Sequence, residues 1–209
     1  MEKNFRVIHE VKFILEVILI FIGLVVVFLV VINYLRKLHL DALHFNLLEV
    51  VDVLGGEVLR RGFLSRPIYH GKFKGIDLTI NFSSERSEKK RREFLDISFA
   101  KQMKQNLTIS TSSWIESQNQ GELKDFVPLV IEDETTYVIR NISGSDYIRK
   151  NKNTEFRDAV KNLTPFNYIF CGKSGLLYER ECDNLALCTK HPKLVDLIES
   201  IQRLTKVLN

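Results

Sequence analysis

The spacing of apolar residues changes from a continuous block to a helical and then an alternating pattern along the chain. From Phe13 to Leu35, 20 of 23 residues are hydrophobic, and Glu16, Gly23 and Asn33 are the exceptions. At about 1.5 Å per residue this stretch spans roughly 34 Å as a helix, enough to cross a hydrocarbon core of about 30 Å. All its faces are apolar, which a core helix of so small a protein could not bury. Its exit, Val31-Ile32-Asn33-Tyr34-Leu35-Arg36-Lys37, lacks the small-residue site of a cleavable signal. One uncleaved transmembrane helix over 13–35 is expected, after a short flank of residues 1–12 and with Tyr34, Arg36 and Lys37 at the interface.

Beyond the membrane Leu40, Leu43, Leu47, Val51 and Leu54 recur at three or four residues, which predicts a juxtamembrane helix over 36–54 stopped by Gly55-Gly56. From Ile68 the period falls to two. Ile76, Leu78, Ile80 and Phe82 alternate with polar residues after Gly75, which predicts a hairpin with the preceding run from Ile68 to Lys74. Leu95, Ile97 and Phe99, then Leu107 and Ile109, continue the alternation, and a further strand is predicted over Thr136 to Arg140. A helix over Thr154 to Leu163 ends at Pro165. A second hairpin turns at Gly172-Lys173-Ser174-Gly175, and a final amphipathic helix starts at Pro192. Residues 55–209 therefore read as a single α+β domain, an antiparallel sheet covered on one side by two or three helices.

The run Leu54-Gly55-Gly56, then Pro67, Gly71 and Gly75 before the alternating strand, followed by a short helix, a hairpin and an amphipathic C-terminal helix, resembles a group of bacterial proteins with one N-terminal transmembrane helix and a small α+β body. The resemblance implies that layout; it implies no activity and no functional residues.

Charge sharpens the picture only slightly. Of the net charge of +4, residues 38–209 hold +2, so half of the basicity flanks the anchor. A body so nearly neutral is no nucleic-acid footprint, and the basic run Lys89-Lys90-Arg91-Arg92 has no interleaved aromatics. With Glu85, Glu88 and Glu93 around it, that run reads as a polar loop over Ser83 to Glu93. Beside a membrane, however, Lys89, Lys90, Arg91 and Arg92 join Arg36 and Lys37 as candidates for contact with anionic lipid.

Candidate chemistry is sparse. Cys171, Cys182, Cys188 and His191 carry donors that suit tetrahedral zinc, but their gaps depart from the usual finger spacing. If Gly172 faces Gly175, Cys171 and Cys182 lie at opposite ends of the hairpin, roughly 20 Å apart at about 3.3 Å per residue. Ordinary thiols are the expectation, with a Cys182–Cys188 disulfide as an alternative. Gly172-Lys173-Ser174 lacks the earlier glycine of a P-loop, and no G-x-S-x-G elbow occurs. Trp114, at a strand end, reads as a lid on the core. No cofactor is expected. The reading is a non-enzymatic interaction or assembly module whose partners are the bilayer and other membrane proteins, with a domain that binds a small ligand or lipid headgroup as the alternative.

Overall fold

The computed structural model describes residues 2–86, 91–104, 106–117, 126–129, 131, 137–141 and 154–208, and only the backbone of residues 2–12 and 141. Its first element, α1 (Glu2–Leu54), is a single helix of 53 residues, so the stretch long and apolar enough to cross a membrane and the expected juxtamembrane helix form one rod about 80 Å long. Between Gly23 and Gly55 there is neither glycine nor proline to interrupt it. Side chains from Phe13 to Arg36 are all exposed, whereas Leu40, Leu43, Leu47 and Val50 are buried in the domain core. The rod stops where Gly55 adopts φ 76° and its N–H bonds the Val51 carbonyl at 2.8 Å. At Gly56, φ 97°, a Cβ would stand 2.5 Å from the His70 carbonyl oxygen, so both backbone conformation and space demand glycine.

Four strands follow as a meander: β1 (Glu57–Leu59), β2 (Ile68–Phe73), β3 (Ile76–Arg86) and β4 (Arg91–Phe99). Lys74 and Gly75, with φ 51° and 81°, close the β2–β3 hairpin in the two-residue geometry that matches strand twist. The segment from Ser83 to Glu93, expected to be a polar loop, is instead largely strand. β3 continues to Arg86 and β4 begins at Arg91, with Glu85 opposite Arg92 and Arg86 opposite Arg91. Both faces are polar there, so the alternation that reveals a half-buried strand is missing, while backbone pairing and the opposite charges of Glu85 and Arg92 sustain it against the like charges of Arg86 and Arg91.

The second half comprises β5 (Leu107–Thr111), α2 (Ser112–Ser117), β6 (Val127–Leu129), β7 (Tyr137–Asn141), α3 (Thr154–Lys161), β8 (Tyr168–Gly172), β9 (Gly175–Glu181), α4 (Leu185–Cys188) and α5 (His191–Val207). The strands of the described residues join one antiparallel sheet of nine, in the order β1-β2-β3-β4-β9-β8-β5-β7-β6. The class is α+β, as the periodicities predict. Pro128 occupies the edge strand β6, where a missing N–H is tolerated.

Register aligns one apolar row across six strands: Ile80, Ile97, Tyr178, Ile169, Ile109 and Ile139. All six are buried. Against this face pack the end of α1, which also meets α4 and α5, and α3, which packs on α5. Polar groups tie the layers together. Tyr178 donates its hydroxyl to the Leu163 carbonyl at 3.1 Å, and Asn46 of α1 donates to the Ala186 carbonyl at 2.8 Å and to Thr189 Oγ1 at 2.9 Å.

Candidate functional site

The residues one step along each strand from the apolar row point to the opposite face and form a second row, Asn81, Asp96, Glu179, Tyr168, Ser110 and Val138. Two carboxylates, Asp96 of β4 and Glu179 of β9, are direct cross-strand partners in it. Like charges so placed repel. Burial, then the neighbouring Asp96 charge, push the Glu179 carboxyl up to about 7, against the pull of a hydrogen bond from Trp114. Burial likewise raises Asp96, against the pull of Ser83 and Arg66, and its Oδ1 is buried without a hydrogen-bond partner.

Trp114 of α2 closes over this row. Its Nε1 donates to Glu179 Oε1 at 3.0 Å, and its indole stacks on the Tyr168 ring at 4.7 Å between centroids. The residue expected to cap the core thus covers the sheet face opposite the main helical layer. Neither carboxylate stood out in the sequence. Alternation places Asp96 on the wet face, but β4 and β9 are separated by more than 70 residues of chain, from Phe99 to Gly175, and only their pairing brings the charges together.

The hairpin register is as expected: Gly172 faces Gly175 and Cys171 faces Leu176. Cys171 is therefore at the turn end, and Cys182, whose N–H bonds the Glu93 carbonyl at 2.8 Å, lies just beyond the other end. Cys182 and Cys188 do come together. Both are free thiols, hydrogen-bonded to each other, so that Cys182 donation eases ionisation of Cys188 while the second proton of the pair is held more tightly. Cys171 is fully buried in apolar surroundings, which pushes its thiol far up. His191 opens α5, and among the described residues no group of three or more His, Cys, Asp or Glu side chains is placed to hold a metal ion.

Of the lipid-contact candidates, Arg36, Lys37 and Arg91 collect at the end of the domain nearest the exposed apolar part of α1. Arg36 is exposed and Lys37 half-exposed on α1. Arg36 and Arg91 both lie close enough to oppose the charge of Arg66. Arg92 instead turns to the open sheet face, where its Nη2 bonds Glu181 Oε2 at 2.7 Å and its guanidinium lies 5.5 Å from the Phe94 ring centre. Lys89 and Lys90 lie outside the described residues.

No family model matches the chain, and no curated protein matches it. Among solved structures, the crystal structure of the mycobacterial trehalose monomycolate transport factor A, TtfA, aligns with a TM-score of 0.43 at 8% identity, over 72% of this chain and 80% of that one. The likeness is slight, and nothing is carried over from it.

Proposed function

We propose that this chain is a single-pass, membrane-anchored, non-enzymatic interaction module that serves as a subunit or accessory factor of a membrane complex. The observation that supports this most is the continuity of α1. Leu35 ends the exposed apolar stretch and Leu40 is already buried in the core, so only four residues separate them. A domain held without a flexible linker keeps a fixed height and tilt relative to the bilayer, which suits a scaffold for neighbouring membrane proteins. The test is photocrosslinking in native membranes from Leu177, on the open sheet face, and from Phe45, on the outer face of α1. Crosslinks to one defined membrane protein, recovered from either position, are the expected result. A chain extracted in mild detergent as a monomer, uncrosslinked from both, sinks the proposal.

A second reading, a membrane-tethered binding domain for a small ligand, is favoured by a cleft of about 420 Å³ between α3 and α5, lined by Asp158, Asn162, Arg203 and Lys206 among others. Its volume lies in the range of small-molecule sites. Native mass spectrometry of chain purified from its own membranes tests it. A bound small molecule lost on Arg203→Glu favours this reading, and a clean polypeptide mass ends it.

A further inference from the structure

The segment between β1 and β2, Arg60-Arg61-Gly62-Phe63-Leu64-Ser65-Arg66, was passed over by periodicity because it has none. Its structure is closely specified. Arg60 reaches back to α1 and bonds Asp41 Oδ1 at 2.6 Å through Nη1, while its Nη2 donates to the Phe63 carbonyl. Ser65 closes a tight turn on Gly62 with two hydrogen bonds of 2.7 Å. Arg66 fastens the far end, donating to Glu93 Oε1 at 2.7 Å and to the Phe82 carbonyl at 3.2 Å. All this order presents one apolar side chain to the outside: Phe63 is 63% exposed, with Lys37 Nζ 5.1 Å from its ring centre.

The height of that ring follows from the helix beneath it. Lys37 is two residues past Leu35, or about 3 Å along the axis. The headgroup layer on each side of a bilayer is about 5–8 Å thick. Asp41, which holds Arg60 and pairs with the same Lys37 Nζ, is four residues further, so the loop is fixed about 3–9 Å beyond Leu35 and meets the headgroup layer whenever residues 13–35 span the membrane. Arg61, two residues away in the loop, is exposed, and exposed Arg36 and Arg91 both lie near Arg66 at the loop's far end, so basic side chains flank the loop that carries Phe63.

We propose that the Arg60–Arg66 loop is a membrane-docking element that seats Phe63 at the boundary between headgroups and acyl chains and sets Arg36, Arg61 and Arg91 against the phosphates of anionic phospholipids in the leaflet that α1 enters. The proposal rests on the reading of α1 as a membrane span. An exposed phenylalanine beside cations is the pairing that lies stably at a bilayer interface, the ring in the boundary layer and the guanidinium groups on phosphate.

The full chain, reconstituted in vesicles of phosphatidylcholine with or without phosphatidylglycerol, tests the proposal. Phe63→Trp and, separately, Leu24→Trp supply fluorescence above the Trp114 baseline of the parent chain. Lipids spin-labelled near the headgroup are expected to quench the Phe63→Trp probe about twofold more than lipids labelled at mid-chain, and Leu24→Trp the reverse. Shielding of the Phe63→Trp probe from acrylamide, a neutral aqueous quencher that the anionic surface does not repel, is expected to be stronger with phosphatidylglycerol and to weaken on Arg61→Glu. A Phe63→Trp probe open to acrylamide and insensitive to either labelled lipid, with Leu24→Trp quenched at mid-chain, overturns the docking proposal and leaves the anchor standing. If Leu24→Trp is not quenched at mid-chain, both fall. Equal shielding in the two lipid mixtures overturns the anionic preference. Tryptic cleavage after Arg61 gives a readout without an added tryptophan: it is expected to be slower in phosphatidylglycerol vesicles for the parent than for Phe63→Ser, and equal rates count against docking.

Discussion

Glu179 shows how a residue can be placed at a cost to stability. Its carboxyl is pushed up to about 7 by burial and by Asp96 opposite, above the ordinary value it has in the unfolded chain. Between those two values the native state binds more protons than the unfolded one, so its contribution to stability falls as pH rises and is least favourable above about 7. Glu179→Gln is therefore expected to raise stability at pH 8 by about 1 kcal/mol, after allowance for part exposure, and to change little at pH 5. Denaturant titration at the two pH values measures it, and an equal effect at both contradicts the assignment. The thiols give a second check. Iodoacetamide at neutral pH is expected to modify Cys188 and leave Cys171 untouched, because only Cys188 has a donor beside it that favours the thiolate. Cys182→Ala removes that donor and is expected to slow the reaction, as read by peptide mass spectrometry over time.

At the scale of elements, α1 has two different surfaces in succession. Leu43 and Leu47 are completely buried, while Phe45 between them is 63% exposed. Leu47→Ala is expected to cost about 2–5 kcal/mol in the domain's unfolding free energy, and Phe45→Ala about 0.5 kcal/mol or less. Comparable losses would mean that α1 does not pack as described. The helix-forming pattern of this region was legible because its leucines repeat locally, at three and four residues. So were the β2–β3 and β8–β9 hairpins, where a glycine turn and alternation lie within a few residues of each other. The ends of β3 and β4 were not legible. Arg86 and Arg91 are strand residues because their backbones pair, and no burial marks them. The helix α2 was missed for a related reason: Ser112 continues an alternating pattern, and only the packing of Trp114 on Tyr168 shows the chain turning there.

On the scale of the whole molecule, the proposed span through α1 would couple the height of the domain to the membrane. Inserting seven helix-forming residues between Arg36 and Lys37 lifts the domain by about 10 Å with little net rotation. The Phe63→Trp probe is then expected to become accessible to acrylamide while Leu24→Trp stays quenched at mid-chain. A Phe63→Trp probe still shielded after the lift would show that something other than proximity to the bilayer covers it.

The sequence alone determined what local periodicity and composition encode: an apolar stretch long enough for a bilayer, a helix running on from it, alternating strands, and the α+β class. These are properties of neighbours along the chain, and the hydrophobic effect writes them with periods that can be read directly. The tertiary structure alone decided which distant residues meet. It paired β4 with β9 and so set Asp96 beside Glu179, joined Cys182 to Cys188 while leaving Cys171 apart, and folded an aperiodic loop back onto Asp41 so that Phe63 stands beside Lys37. Pairings of this kind depend on sheet order and loop closure, which leave no period in the sequence.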